Sequence, residues 1–342
     1  MKRINGTLHI AVCIALAVTA AASCAKTESV DTHKIEKEYF DSWMKIHYPD
    51  CRQQTALGSY IISDTEGNGQ LIGDENATPY VYGEYTQYDL DGTITYYCDA
   101  QTAKQLGLYD STLYYGPKVI FRSSSSLNAG LSELFSTMKE GGRRKAVVPG
   151  WLNTNERYSS AEEYAGKVSG TPKIYDLRPQ KIITDIVKWE VDSTASYVAR
   201  KFPQTDSTQY GFYYHQEVEP SDTASFAADD RVYLNYVARL LNGRVFDTNV
   251  KDSAKYYGIY NPSASYGKVY VTWADSHTDM KMGTSSSSVI SGFSLAVSRM
   301  KKGERGTAIF YSAYGYGSTG SSDAIPPYSP LIFDIELIGK ED

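Results

Sequence analysis

The chain has 342 residues, which is long enough for two ordinary domains that each bury a core. Charged residues make up 22% of it and the net charge is -6, so it has no overall basic field to attract nucleic acid or an anionic membrane surface. The histidines show no ligand spacing and none stands near a cysteine in a metal or protease signature. We therefore expect no bound metal and no cofactor.

Residues 1–23 have the pattern of a secretory leader. Lys2 and Arg3 are positive, residues 8–18 form an apolar run too short for a comfortable membrane span, and small residues lead to Cys24. The small residues before Cys24 also resemble a bacterial lipobox, which would make Cys24 the lipid-bearing first residue of the mature protein. An ordinary leader followed by an incidental cysteine is the alternative.

Residues 24–50 are predicted to hold an anchor linker and an N-terminal helix. Apolar residues recur at spacings of four and five between residues 30 and 47, and Asp31 or Thr32 stands where a helix cap is expected. The apolar residues are Ile35, Tyr39, Phe40, Trp43 and Met44. Such a stripe indicates docking on the helix's own domain, with dimerisation as the alternative.

Two further cysteines, Cys51 and Cys98, remain after the leader and Cys24 are set aside. An oxidising envelope would allow a disulfide between them. The sequence does not show whether their Cα atoms come close enough, so the pairing stays open.

Three sequence blocks occur twice in the same order, which indicates a repeat of whole domains. The pairs are "YVYGEYTQYDLDGTI" from Tyr80 with "RVYLNYVARLLNGRV" from Arg231, "GLSELFSTMKEGGRRKAVV" from Gly130 with "GFSLAVSRMKKGERGTAIF" from Gly292, and "KIYDL" from Lys173 with "LIFDI" from Leu331. We assign the first copy to residues 51–190 and the second copy to residues 207–342. A short helical pattern ended by Pro203 suggests a linker over residues 191–206.

The second copy has the period of strands. Alternate residues are apolar over 232–240 and again over 331–337, as in half-buried antiparallel strands. Asn242 and Gly243 stand between two such runs and predict a tight hairpin. Only residues 293–300 have the pattern of a helix, so the predicted fold class is α+β, with an antiparallel sheet wrapped around a short helix in each copy.

Gly315, Gly317 and Gly320 have the spacing G-x-G-x-x-G of a dinucleotide loop. That loop must follow a strand and open a helix, so that the phosphates meet helical amides. Here Pro326, Pro327 and Pro330 follow, and these prolines cannot continue a helix. The sequence therefore predicts no nucleotide at this loop.

The second copy resembles the FKBP family of peptidyl-prolyl cis-trans isomerases over about residues 207–339. The motifs that carry the resemblance are "YLNYVARLLNGRVFDTN" from Tyr233, "VISGF" from Val289, "MKKGER" from Met300, Tyr316-Gly317, Ile325-Pro326-Pro327, and "LIFDIEL" from Leu331. A pocket that isomerises proline bonds needs aromatic walls for the ring and a few fixed hydrogen-bond donors for the substrate carbonyls.

The resemblance implies roles for particular residues. Phe246, Asp247 and Tyr316 would be catalytic, with Asp247 and Tyr316 as the polar contacts. The amide of Ile290 would join the Tyr316 hydroxyl in holding substrate carbonyls. The apolar walls and floor of the pocket would be Tyr236, Phe246, Val289, Ile290, Phe293, Ile325 and Phe333.

Several positions depart from the family pattern. Phe293 replaces the tryptophan of the pocket floor, and Asp252 falls where an arginine usually pairs with the pocket aspartate. An insertion over residues 253–288 obscures a further pocket aromatic, for which the candidates are Tyr256, Tyr257, Tyr270 and Trp273. The first copy lacks most of the set, so we expect it to hold peptides or to pack rather than to catalyse.

The leading hypothesis is a peptidyl-prolyl cis-trans isomerase that assists the folding of envelope proteins. Its partners would be proline-containing unfolded clients or peptides, and lipid on Cys24 would hold it at the outer membrane of a Gram-negative cell envelope. The alternative is a non-catalytic FKBP-like lipoprotein that binds peptides or proteins.

Overall fold

The two copies of the repeat form two separate antiparallel sheets in the computed structural model, which describes residues 31–284 and 288–340. The predicted leader and Cys24 lie outside the described residues. The α-helices are α1 Thr32–His47, α2 Ala100–Gln105, α3 Ala129–Ser136, α4 Ala161–Lys167, α5 Ile186–Lys201, α6 Lys251–Tyr256 and α7 Ser291–Val297.

The first copy holds a six-stranded sheet in the order β1-β5-β6-β2-β3, with β4 paired to β2. Its strands are β1 Tyr60–Thr65, β2 Tyr80–Tyr88, β3 Ile94–Tyr96, β4 Lys118–Phe121, β5 Arg143–Val148 and β6 Lys173–Ile183. Helix α3 packs into the core of this copy with Leu131, Leu134 and Phe135 buried.

The second copy holds an eight-stranded sheet in the order β12-β11-β9-β14-β13-β8-β7, with β10 paired to β9. Its strands are β7 Ser207–Gln209, β8 Phe212–Val218, β9 Arg231–Leu240, β10 Val245–Thr248, β11 Val269–Thr272, β12 Lys281–Met282, β13 Arg305–Phe310 and β14 Leu331–Lys340. Helix α7 crosses this sheet, as predicted, with Phe293 and Val297 buried. The α+β fold class is confirmed.

The strand registers of the two copies agree with the sequence repeat. Tyr85 on β2 pairs with Leu177 on β6, and the equivalent residue Tyr236 on β9 pairs with Ile335 on β14. The predicted hairpin is also present, because Gly243 joins β9 to β10 with a φ of 88° that glycine tolerates best. The two copies are therefore built on one plan, although their domain boundaries stay predictions.

Helix α1 begins after Asp31, whose side chain accepts a hydrogen bond from the Lys34 amide at 3.3 Å. Phe40 and Met44 are buried in the core of the first copy, so the predicted docking on its own domain is confirmed. Ile35 and Tyr39, at the N-terminal end of the same stripe, are exposed.

Helix α5 lies between the two copies, where a linker with a short helical pattern was predicted. It has 16 residues, and Tyr197 and Val198 on it pack against Ile309 and Ile332 of the second sheet. The strand over residues 331–337 was predicted to be half-buried, yet Ile332, which alternates with its core residues, is fully buried. The half-buried pattern does not hold at Ile332 because α5 covers that face of the sheet.

The carboxylate of Glu190 on α5 is buried and accepts hydrogen bonds from the Ser312 amide at 2.7 Å and the Ser312 hydroxyl at 2.9 Å. Burial raises the pKa of Glu190, while the two hydrogen bonds oppose the rise. Between the ordinary glutamate pKa and the raised pKa, the Glu190 carboxyl is therefore protonated in the folded protein and ionised in the unfolded chain. This helix end is thus linked to the turn that precedes Tyr316.

We predict that the contribution of Glu190 to stability is fully present below the ordinary glutamate pKa and falls as the pH rises through the raised pKa. Glu190→Gln removes the titration and can keep both contacts to Ser312, so its stability should depend less on pH in this window. Urea unfolding of both proteins from pH 4 to 8 measures this, and Glu162→Gln on α4 is an exposed control. Equal pH slopes for Glu190→Gln and the unaltered chain would contradict the prediction.

Cys51 and Cys98 are both free, so no disulfide joins them. Within the part of the chain that the structure describes, no group of acidic, histidine and cysteine side chains is arranged to hold a metal ion. No helix of residues 31–284 and 288–340 has both the length and the hydropathy to cross a membrane.

Candidate active site

Three predicted aromatic residues of the second copy meet in its core. Phe293 on α7 lies 5.2 Å from Phe333 on β14, measured between ring centroids. Tyr236 on β9 lies 5.7 Å from Phe293 and 6.1 Å from Phe333. Phe293 and Phe333 are buried, whereas Tyr236 is half-buried, so the three rings form an aromatic floor with one edge open to solvent.

The other predicted apolar residues surround this floor. Phe246 on β10 meets Phe333 edge to face at 6.2 Å, and Ile325 is buried in the same cluster. Val289 and Ile290 directly precede α7 and are half-buried against the cluster. The structure therefore brings together all the apolar residues that the sequence predicted, from five separate segments of the chain, and their binding roles stay predictions.

The predicted polar residues lie at the open edge of the floor. The Tyr236 hydroxyl donates a hydrogen bond of 2.7 Å to the exposed carboxylate of Asp247. Burial, and next the negative charge of Asp247, raise the pKa of Tyr316 and of Tyr236. Both hydroxyls therefore stay protonated at neutral pH. Asp252, the departure from the family arginine, is exposed on α6, and Asp247 is held by Tyr236 instead.

The backbone at Ile290, directly before α7, offers hydrogen-bonding groups at the edge of the floor. The Ile290 carbonyl accepts hydrogen bonds from the amides of Phe293 at 3.1 Å and Ser294 at 3.2 Å. The Ile290 amide itself donates to no acceptor within residues 31–284 and 288–340. A half-buried donor without a partner among the described residues is suited to hold a ligand carbonyl.

The glycine-rich segment forms the rim loop, which we define as residues 316–328. Gly320 adopts a φ of 67°, and Ser321 and Ile325 exchange backbone hydrogen bonds of 2.9 and 3.1 Å. A Cβ atom on Gly320 would lie 2.2 Å from the Ile325 carbonyl oxygen. Glycine is therefore needed for a tight turn that positions Ile325, and only a one-turn 3-10 helix, Ser322–Ala324, follows it before β14.

Asn249 is a supporting residue that the sequence analysis missed. Its buried side-chain amide accepts from the Tyr236 amide at 2.7 Å and donates to the carbonyls of Leu234 at 3.1 Å and Gly267 at 2.8 Å. It thereby fixes the backbone that carries Tyr236. The signal was its place two residues after Asp247, just past the end of β10, where a buried amide can satisfy irregular backbone.

A family model described as FKBP-type peptidyl-prolyl cis-trans isomerase matches residues 223–338, which include every predicted residue of this site. FK506-binding protein 2 of Dictyostelium discoideum is 30% identical to this chain over 135 residues, which are 40% of this chain and 81% of that protein. The chain belongs to the FKBP-type peptidyl-prolyl cis-trans isomerase family. It is thus a member of a family of enzymes.

Two other proteins are similar to this chain to a comparable degree. Macrophage infectivity potentiator of Trypanosoma cruzi is 29% identical over 148 residues, which are 43% of this chain and 62% of that protein. A peptidyl-prolyl cis-trans isomerase structure from Pseudomonas syringae shows 25% identity and a TM-score of 0.31, and covers 46% of this chain and 94% of that chain. The FKBP family match begins after the first sheet, so residues 31–222 lie outside it.

In the first copy, a pair of tyrosines fills the position equivalent to the open edge of the aromatic floor. Tyr85, the equivalent of Tyr236, stacks on Tyr96 with ring centroids 4.6 Å apart. Tyr85 also contacts Tyr175, the equivalent of Phe333, at 6.2 Å. Tyr96 thus takes the space beside Tyr85 that the second copy leaves at its open edge. Our prediction that this copy does not catalyse remains a prediction.

Part of the predicted FKBP insertion is also a repeat that the sequence analysis missed. Tyr109 and Tyr115 stack at 5.4 Å and 21° in the first copy, and Tyr260 and Tyr266 stack at the same distance and angle in the second. The spacing Tyr-Asp/Asn-x-x-x-x-Tyr-Gly in both copies was the available signal. Of the candidate pocket aromatics, only Trp273 packs against the core of the second copy.

The loop of the first copy that carries this tyrosine pair contacts the rim loop. The Tyr114 amide donates to the Asp323 carbonyl at 2.7 Å. Arg244, next to the β9–β10 hairpin, donates to the Ala324 carbonyl at 3.1 Å and to the Ser111 carbonyl at 3.2 Å. The first copy therefore contributes to holding the loop that positions Ile325.

Proposed function

We propose that the second copy catalyses the cis-trans isomerisation of peptide bonds that precede proline. The observation that carries the proposal is the aromatic floor of Tyr236, Phe293 and Phe333. At its edge lie two protonated tyrosine hydroxyls and the Ile290 amide, which has no acceptor among residues 31–284 and 288–340. Membership of an isomerase family supports it independently.

The proposed mechanism needs no covalent step. Resonance of the amide opposes rotation about an X-Pro bond with a barrier of about 18–20 kcal/mol. A site that fits the twisted amide better than either planar form lowers that barrier by differential binding. Aromatic rings would hold the proline ring away from water, while the Ile290 amide and the Tyr316 hydroxyl hold substrate carbonyls. Asp247 would orient Tyr236 through their hydrogen bond.

We further propose that the clients are unfolded proteins or peptides of the cell envelope. The leader-like pattern of residues 1–23 and the lipobox-like residues before Cys24 support lipid anchoring at the outer membrane of a Gram-negative bacterium. Isomerisation is a slow step of folding, taking tens of seconds or more without a catalyst, so an anchored isomerase would speed the maturation of nearby chains.

The test is a protease-coupled assay of the full chain with an X-Pro peptide, for which we expect a rate above background. Tyr316→Phe should lower kcat/KM by about 2- to 12-fold, because one hydrogen bond to a neutral carbonyl contributes about 0.5–1.5 kcal/mol. Tyr314→Phe removes a hydroxyl from the preceding turn, where it contacts Gln209 at 3.3 Å, and should leave the rate unchanged.

A background rate from folded protein would exclude catalysis. Binding of the same peptide without turnover would then favour the alternative, a non-catalytic binding lipoprotein. The Phe293 substitution of the family tryptophan makes this comparison informative, because a smaller ring can retain an apolar floor while fitting the twisted amide less well.

A further inference from the structure

A groove lies between the two copies, on the outer side of the rim loop. It has a volume of about 450 Å³, which is in the range of peptide and small-ligand sites. The first copy contributes strands β2, β3 and β4 and the loop before α3, and the second copy contributes the rim loop. The lining residues that matter are Tyr85, Tyr96, Lys118, Phe121, Pro327 and Tyr328. We call this site the intercopy groove.

Aromatic rings build one wall of the intercopy groove across the junction of the two copies. Phe121 stacks on Tyr80 at 4.9 Å, and Tyr80 meets Tyr328 of the second copy edge to face at 5.4 Å. The Tyr85–Tyr96 pair lies among the other lining residues. Flat rings held by their neighbours offer contact area at little cost in side-chain entropy, which suits adaptable peptide binding.

Lys118 is the one charged side chain among the described residues that line the groove. Its ammonium lies 5.0 Å from the centre of the Tyr96 ring and forms no ion pair with a carboxylate of residues 31–284 and 288–340. An ammonium at an aromatic wall, without a carboxylate partner, is suited to attract an anionic group of a ligand.

We infer that the intercopy groove binds an extended peptide segment in which an aromatic or aliphatic side chain neighbours an acidic one. The apolar side chain packs on the ring wall, and the carboxylate pairs with Lys118. A proline ring is not the expected occupant, because Tyr96 already fills the space beside Tyr85.

The rim loop connects this groove with the proposed isomerase pocket. Tyr316 and Ile325 on the loop pack against the core cluster that contains Phe293, whereas Ser318, Pro327 and Tyr328 line the intercopy groove. A client that crosses the loop therefore reaches both sites, and the groove holds the segment that flanks its proline. This last step rests on the proposed function, but peptide binding in the groove does not.

The test measures binding of a fluorescein-labelled, proline-free peptide with a Phe-Asp pair to the full chain by fluorescence anisotropy. A second probe carries Phe-Lys instead. We expect the unaltered chain to bind the Phe-Asp probe more tightly than the Phe-Lys probe. Lys118→Glu should lower the affinity for the Phe-Asp probe about tenfold and raise the affinity for the Phe-Lys probe. Lys118→Met removes the charge alone and should weaken the Phe-Asp probe about 2- to 5-fold, as expected for a partly exposed ion pair.

Two controls locate the binding. Lys45→Glu makes the same charge change on α1, outside the groove, and should leave both affinities unchanged. Phe246→Ala alters the proposed isomerase pocket and should also leave them unchanged, so failure of the isomerase proposal cannot mimic failure of this one.

The inference is overturned if the Phe-Asp probe does not bind, if Lys118→Glu binds it as well as the unaltered chain, or if Phe246→Ala abolishes its binding. Self-association that depends on Lys118, without peptide binding, would identify a second copy of the chain as the occupant and would also overturn it. The reversed preference of Lys118→Glu is itself a check that this variant is folded.

Discussion

Phe246→Ala is expected to reduce kcat/KM for an X-Pro peptide by about 10- to 100-fold. The Phe246 ring is half-buried and meets Phe333 edge to face at 6.2 Å, so one side of it remains available to a substrate proline. Removing an apolar contact of this size costs about 1.5–3 kcal/mol of transition-state binding, and each 1.36 kcal/mol is a factor of ten. The measurement is the protease-coupled rate, with folding checked by circular dichroism.

The repeat supplies a matched control for this substitution. Tyr96→Ala removes an aromatic ring from the equivalent strand of the first copy, where the ring stacks on Tyr85. For a peptide too short to reach the intercopy groove, it should leave the X-Pro rate unchanged while destabilising the first copy. Phe246→Leu should retain more activity than Phe246→Ala, because leucine keeps part of the apolar wall. A Phe246→Ala protein with an unaltered rate would place the isomerase pocket elsewhere.

The strands and hairpins were predictable because their signals are local. Alternating apolar residues and the Asn242-Gly243 pair determine which face is buried and where the chain turns, and the structure has both features. The burial of Ile332 was not predictable, because it depends on α5, a helix more than 100 residues earlier in the chain. The sequence of a strand does not identify the element that covers the second face of its sheet.

The candidate site also has some features that were predictable from local sequence and others that were not. The order of the motifs predicted the residues that meet at the aromatic floor, because a pocket for a proline ring requires aromatic side chains. Asn249 and Arg244 were missed because their partners are backbone carbonyls, which any sequence supplies. The intercopy groove could not be inferred from either copy alone, because its walls come from both.

Asn249→Ala is expected to lower the free energy of unfolding by about 3 kcal/mol, because it removes the hydrogen bonds of Asn249 to the Tyr236 amide and to the carbonyls of Leu234 and Gly267. Each buried polar group left unpaired costs about 1–3 kcal/mol. The Tyr236 amide should also exchange faster with deuterated solvent, which gives a readout at one atom. The X-Pro rate should fall with it, since Tyr236 belongs to the aromatic floor.

Cys98 occupies the equivalent place in the first copy, because its carbonyl accepts from the Gly116 amide as the Asn249 carbonyl accepts from Gly267. Among the described residues, the one hydrogen-bond contact of its thiol is with the Tyr96 hydroxyl, at 3.2 Å. Cys98→Ala should therefore cost about 1 kcal/mol and leave the Tyr236 amide protected. Two results would contradict the prediction: equal losses of unfolding free energy from Asn249→Ala and Cys98→Ala, or an unchanged exchange rate of the Tyr236 amide in Asn249→Ala. Either result would mean that water replaces the asparagine side chain. The second copy would then not depend on Asn249 for the position of Tyr236.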